Sequence, residues 1–154
     1  MITQQVQQSK KACIIFDSTQ DYSKKEASVL LLRYLDMDKD GECTVQERVV
    51  EVFTTGETTG SVLSANVMAV LKKINFDMNW LIGQCHNGAG NMRGKYCGLA
   101  TLIQNQCPKA VYIMVSRAST ELGNECCYKL FCGNQEHSRP AGRTACFSFL
   151  AQAK

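Results

Sequence analysis

Hydrophobic residues in the first half of the chain occur in short runs separated by polar turns, a pattern typical of a sheet. Three runs predict strands, at residues 12–17, 28–36 and 43–55, and the third is rich in β-branched side chains. Because short turn-forming segments join the runs, the three strands are predicted to form an antiparallel meander. The polar residues 1–11 are predicted to be a disordered lead-in.

The hydrophobic period lengthens to that of a helix after residue 60. Residues 61–75 repeat hydrophobic positions at helical spacing, whereas the short runs at 80–85 and 110–115 predict a fourth and a fifth strand. Between these strands the spacing predicts a second helix that stops at Pro108. The apolar face of that helix is predicted to carry Met92, Tyr96, Leu99 and Ile103.

This order of elements predicts a mixed α/β sheet. The two later strands follow crossovers through helices, which favours parallel pairing in the same sheet. The predicted domain covers residues 12–116. No sustained period follows it, so residues 117–154 are predicted to be an irregular, Cys-rich tail.

Composition and charge argue against a membrane or secreted protein but do not indicate a particular function. The chain has 154 residues and 45% hydrophobic residues, enough for one domain with a core, and its formal charge is +3. This charge permits a nucleic-acid partner but does not indicate one. No apolar run approaches the ~20 residues of a membrane span, and the N-terminus lacks a secretory apolar core. We therefore expect a nuclear or cytoplasmic chain that is neither secreted nor membrane-bound.

The nine cysteines are expected to remain reduced. Their number is odd, their spacing is scattered, and no secretion signal accompanies them. The densest group lacks the paired C-x2-C spacing of most structural zinc sites, so a tail without a metal is the favoured interpretation. That group consists of Cys126, Cys127, Cys132 and His137.

Residues 36–47 fit the written pattern of an EF-hand calcium loop. The residues in ligand positions are Asp36, Asp38, Asp40, Glu42, Thr44 and Glu47. The context favours a turn between strands two and three, because valines and threonines crowd the segment that would be the outgoing helix. No second loop is present to pair with it. A calcium-binding module is kept as the alternative function.

Acidic residues follow the first predicted strand. Asp17 lies at its end and Asp21 one turn later, and the loop after the fourth strand, residues 85–92, is expected to lie nearby. In the ribonuclease-H architecture, carboxylates at these two places hold two metal ions for phosphoryl transfer. Asp17 and Asp21 are therefore the candidate metal ligands.

Five segments carry a resemblance to a known family. They are "DSTQD" (17–21), "RYLD" (33–36), "TTGETTGSVLSANVMAVLKKI" (54–74), "GQCHNGAGNMRGKYCGL" (83–99) and "PKAVYIMV" (108–115). Together they resemble the ribonuclease-H-like domain of hAT-superfamily transposases, in the domesticated branch of the zinc-finger MYM-type protein 1-like group. The resemblance covers about two thirds of the chain. It implies a mixed five-stranded sheet in the order 3-2-1-4-5 with flanking helices, and a parent activity of Mg²⁺-dependent DNA cleavage.

The chain departs from the family pattern where catalysis needs acids. Asn87 stands at the second catalytic Asp, Ser18 replaces a Glu, and Met114, Val115 and Ala118 replace an H-C-x-x-H element. The third acid of the family lies downstream of this chain's end. The resemblance thus implies a degenerate, truncated domain that is not an enzyme and binds no cofactor. DNA, related transposase-derived proteins and further copies of the chain are the expected partners.

Other polar residues of the Gly-rich loop have simpler interpretations. His86 is interpreted as a loop residue, and Asn87 and Asn91 are expected to cap turns. Arg93 and Lys95 suit either a phosphate contact or a solvated helix face, and the sequence leaves both open.

Overall fold

The fold is a five-stranded sheet with helices, in a computed structural model that describes residues 2–20, 26–37 and 43–114. The strands are β1 (Ala12–Gln20), β2 (Glu26–Met37), β3 (Cys43–Thr55), β4 (Leu81–His86) and β5 (Val111–Met114). The helices are α1 (Ile2–Ser9), α2 (Gly60–Lys73), α3 (Gly90–Arg93) and α4 (Leu99–Gln106), with a short 3₁₀ helix at Met78–Trp80.

The strand order is β3-β2-β1-β4-β5. The meander β1–β2–β3 is antiparallel, and β4 and β5 add to it in parallel. The predicted mixed sheet, its order and its flanking helices are therefore confirmed. β1 is central, and its ladder with the parallel β4 ends at the pair Phe16 and His86.

One face of the sheet carries the main core. Alternate β1 residues Ala12, Ile14 and Phe16 point to this face, as the two-residue period of a strand requires. They share one buried cluster with Leu63 and Val67 of α2 and with Leu99 and Ile103 of α4. Each such side chain contributes about 1.5–3 kcal/mol when it is fully buried, so α2 and α4 are held to the sheet mainly by this cluster.

The prediction of a disordered lead-in was wrong, because residues 2–9 form α1. Val6 is buried in the main core, and the Gln5 side chain accepts a hydrogen bond of 2.7 Å from the Tyr34 hydroxyl. Gln5 also donates to Asp36 at 3.4 Å. Val6 and Gln5 therefore help to dock this helix, whose mostly polar sequence had suggested disorder.

The second predicted helix is divided into α3 and α4. The backbone of Gly98 lies very close to that of Gly94 between the two helices. A Cβ on Gly98 would lie 2.3 Å from the backbone nitrogen of Gly94. Only glycine allows this approach. Tyr96, predicted on the apolar face, instead lies in the connecting segment and is 77% exposed, so that prediction was wrong.

The calcium-like string lies in a β-hairpin. Asp36 of β2 pairs with Thr44 of β3, and Arg33 pairs with Glu47, whose carboxylate also forms an ion pair with that arginine. An EF-hand requires a helix on each side of its loop, whereas both flanking elements here are strands. The other candidate ligands lie outside the described residues: Asp38, Asp40 and Glu42.

The tail 117–154 and its Cys/His group also lie outside the described residues. Among the described cysteines, Cys13, Cys85 and Cys107 are buried and Cys97 is exposed. Within the described ranges, no helix combines the length and apolarity needed to cross a membrane.

Candidate functional site

The candidate site lies where the parallel strands β1 and β4 separate. The last paired residues are Phe16 and His86, so Asp17 and Asn87 occupy the next position on each chain. Neighbouring strands are about 4.8 Å apart where they pair, so these two residues leave the ladder from adjacent positions. Since Phe16 points into the helix-covered core, alternation directs Asp17 toward the opposite face.

Asp17 is a half-buried carboxylate inside a strand. β1 continues to Gln20 along β2, so Asp17 marks the end of β4 pairing rather than the predicted end of β1. Its Oδ1 accepts the Ser18 N–H at 3.0 Å, and the Ser18 hydroxyl donates to Glu26 at 2.8 Å. Burial raises the pKa of the Asp17 carboxyl, while the Ser18 N–H opposes the rise. Asp21 lies outside the described residues.

Asn87 is engaged with its own loop. Its Oδ1 accepts the Ala89 N–H at 3.2 Å, the geometry of an Asx turn, and its backbone carbonyl accepts the Tyr112 hydroxyl at 3.4 Å. Asn91 instead ties the loop to the segment before α2, because its Nδ2 donates to the Thr58 carbonyl at 2.8 Å. The predicted turn-capping role therefore describes the contact of Asn87, whereas Asn91 makes a long-range contact.

His86 is the buried last residue of β4, so its interpretation as a loop residue was wrong. Its position is set by Gln84, whose Nε2 donates to the carbonyls of Ala100 at 2.9 Å and Ala110 at 3.3 Å. The Gln84 Oε1 is left to accept from His86 Nε2 at 2.9 Å. We therefore assign the Nε2–H tautomer to His86, with an unprotonated Nδ1.

Aromatic rings enclose His86. Tyr112 stacks on it with ring centroids 5.8 Å apart, and Phe16 meets it edge-on at 6.2 Å. Burial lowers the pKa of His86 to about 3, so the imidazole is neutral at physiological pH. Burial also raises the pKa of the Tyr112 phenol, and the Arg93 guanidinium opposes that rise. The layer beneath Asn87 is thus uncharged and aromatic.

An open groove of about 440 Å³ lies beside this edge, between the start of α2 and the segment joining α3 to α4. The Nζ of Lys95 lies 5.5 Å from the centre of the Tyr96 ring. Because Tyr96 was predicted to be buried, sequence reasoning missed this feature. The groove is lined by Thr59, Gly60, Gly90, Asn91, Gly94, Lys95, Tyr96, Cys97 and Gly98.

Replacing Asp17 by asparagine is expected to stabilise the protein at neutral pH. Asparagine keeps an oxygen for the Ser18 N–H but removes a charge that burial disfavours. The raised pKa means that the folded state holds the Asp17 proton more tightly than the unfolded state. Its contribution to stability is therefore present at low pH and lost as pH rises.

Thermal melts of the wild type and Asp17→Asn at pH 7 and pH 3.5 measure this effect. We expect the variant to melt a few °C higher at pH 7, on the order of 1 kcal/mol or less for a half-exposed group, and the gain to shrink at pH 3.5. Glu57→Gln, which neutralises an exposed carboxylate, is the matched control. An equal gain at both pH values would show that charge burial is not its cause.

Comparison of the chain with models of known protein families gives a match. The family model DUF4371, described as ZMYM1/FAM200, RNase-like domain, matches residues 1–98. The match covers more than half of the 154 residues and includes α1, four of the five strands, Asp17 and Asn87. The mixed sheet in the order β3-β2-β1-β4-β5 is consistent with an RNase-like domain. The chain therefore belongs to the DUF4371 family, as an RNase-like domain of the ZMYM1/FAM200 type.

Proposed function

We propose that this chain is a domain derived from a hAT-type transposase that no longer cleaves DNA and serves as a nucleic-acid-binding module. Asn87, beside Asp17 at the end of β4, is the observation that carries the proposal. Two-metal phosphoryl transfer needs several carboxylates that converge on ions about 3.5–4 Å apart. An amide at this place offers an oxygen without the negative charge that holds divalent ions.

The contacts of both residues support this view. The Asn87 side-chain oxygen already accepts the Ala89 N–H, so a metal ion would compete with a bond that shapes the loop. The pKa of Asp17 is raised by burial, so its proton is lost less readily than from an ordinary carboxyl. At this edge, a divalent ion would have the Asp17 carboxylate and the Asn87 amide oxygen as ligands. One charged group and one oxygen that is already hydrogen-bonded fit a pair of magnesium ions poorly.

Nicking of a supercoiled plasmid tests the proposed loss of cleavage. The wild type is expected to produce no Mg²⁺- or Mn²⁺-dependent nicks above background. Asn87→Asp is expected to remain inactive, because one new carboxylate beside Asp17 does not by itself supply the several converging acids that the two-metal mechanism needs. Isothermal titration with Mn²⁺ should show weak binding at most for that variant.

Asp17→Ala is the matched control for the nicking assay. It removes the acid that any residual metal site would need, so a contaminating nuclease would be unaffected by it. Metal-dependent nicking by the wild type that disappears in Asp17→Ala would contradict the proposal, since it would demonstrate a working site at this edge of the sheet.

A further inference from the structure

We propose that the groove beside the start of α2 binds single-stranded nucleic acid, with an unpaired base stacked on Tyr96 and the adjacent phosphate held by Lys95. This inference rests on the proposed function and gives it a place and a ligand class. Four glycines are among the residues that line the groove, and Lys95 and Tyr96 line it with them.

Tyr96 is presented to solvent on a short, fixed segment. It is 77% exposed, whereas the other exposed large hydrophobic side chains in the described ranges lie between 42% and 63%. The segment is closed at its base, because Gly98 donates its N–H to the Gly94 carbonyl at 2.9 Å and the Thr101 hydroxyl donates to the same carbonyl at 3.1 Å. The backbone that carries the exposed ring is therefore constrained, which reduces the ordering needed on binding.

Lys95 gives the ring a cationic neighbour. Its Nζ lies 5.5 Å from the Tyr96 ring centre, within cation–π range, and both side chains are exposed. In the described part of the chain, no acidic side chain lines the groove. Because each nucleotide joins a flat base to an anionic phosphate, an aromatic ring with a lysine beside it matches both parts of that unit.

One wall of the groove, at Gly90, has open space for a ligand. A Cβ built on Gly90 would meet no atom within 4 Å, so the space above this residue is open. The groove volume of about 440 Å³ is within the range of roughly 300–1,000 Å³ for pockets that take small molecules. A site of this size suits one extruded nucleotide unit better than a continuous duplex.

Stacking on Tyr96 requires a base that is not already paired. In a duplex, both faces of each internal base are covered by its neighbours, and base–aromatic stacking is the contact that single-strand binding proteins use. The groove is therefore predicted to prefer single strands. Stacking is tolerant of sequence because every base has a π face, so little preference among bases is expected.

Fluorescence anisotropy of a labelled mixed-sequence 12-nucleotide DNA, titrated with the 1–154 chain at low salt, tests this inference. The RNA oligonucleotide of the same sequence and the annealed DNA duplex are the comparison probes. We expect Tyr96→Ala to weaken single-strand binding by roughly tenfold, the scale of one lost base stack. Lys95→Ala should weaken binding by a few-fold and reduce its salt dependence.

Two further variants distinguish binding in the groove from a general effect of positive charge on nucleic-acid affinity. Gly90→Val fills open space and is expected to weaken binding, and its melting temperature checks that the fold is intact. Lys72→Ala removes the same charge as Lys95→Ala, but from the far end of α2, about 18 Å along the helix from Gly60. Lys72→Ala is expected to bind like the wild type.

The outcomes separate this inference from the proposed function. Loss of binding in Tyr96→Ala, Lys95→Ala and Gly90→Val, with Lys72→Ala unchanged, supports the groove. Wild-type binding that none of the groove variants weakens overturns the groove and leaves the proposed function standing. Binding to duplex as tight as to single strands overturns the stacking model. No binding of any probe overturns both the groove and the nucleic-acid role.

Discussion

Gly60→Ala is expected to destabilise the protein by about 3 kcal/mol or more, lowering its melting temperature by roughly 10 °C. A Cβ at this position would lie 2.1 Å from the Cys97 carbonyl oxygen and 2.9 Å from that of Asn91. Both atoms belong to the backbone, so neither can rotate away as a side chain would. The start of α2 would have to separate from the segment between α3 and α4.

Gly56→Ala is the matched control for this prediction. A Cβ on Gly56 meets nothing within 4 Å, so the substitution is expected to be neutral, or slightly stabilising through the unfolded state. Circular dichroism melts of the two variants and the wild type measure the difference. If Gly60→Ala melted within a degree of Gly56→Ala, α2 could not approach the Cys97 backbone as closely as described.

The second large effect is a loss of stability in acid that depends on His86. Burial lowers the pKa of His86 to about 3, compared with 6.5 for an exposed histidine. At pH values between about 3 and 6.5, His86 is protonated in the unfolded chain but stays neutral in the folded chain. The stabilising contribution is therefore complete above pH 6.5 and is lost as pH falls, by up to about 1.4 kcal/mol per pH unit.

His86→Gln removes this titration and can keep a donor for the Gln84 side-chain oxygen. Urea unfolding at pH 7.5, 5.5 and 4.5 should show a shallower acid loss for the variant than for the wild type. Slopes are compared rather than levels, because the variant also loses the contacts with Tyr112 and Phe16. Asp17, whose shift acts in the opposite direction, is present in both proteins and cancels. Parallel curves would show that the folded state protonates His86 as readily as the unfolded state does.

These two predictions concern the same edge of the sheet as the proposed functions. Gly60 sets the distance between α2 and the Tyr96 segment, and His86 forms the neutral layer beneath Asn87. The stability experiments therefore test the packing around the groove, and the binding experiments test the groove itself.

Strands and their pairing were predictable because local patterns fix them. The β-branched run in 43–55 coincides with β3, and the helical period in 61–75 gave α2 to within two residues at each end. Crossovers through helices fix parallel pairing, so the mixed sheet followed from the order of elements. The placement of Asp17 near Asn87 followed in turn, because each residue directly follows the last pair of the parallel ladder between β1 and β4.

Features that depend on one or two contacts between distant segments were not predictable. Helix α1 has a mostly polar sequence, and the contacts that Val6 and Gln5 make with distant segments are not visible in it. His86 resembles a loop residue in sequence, and only the ladder with β1 and the Gln84 amide place it in the core.

Periodicity and chain order were enough to predict the mixed sheet, because they decide which segments become strands and how consecutive strands pair. The family resemblance added the strand order and the placement of Asn87 at the second acid position. The exposure of Tyr96, in contrast, depends on a tertiary contact. Met92, Tyr96, Leu99 and Ile103 have helical spacing, and nothing in that spacing reveals that the backbone of Gly98 rests against Gly94 and divides the helix. That contact exists only when the two segments are folded together, and it turns a predicted core residue into an exposed ring beside the groove.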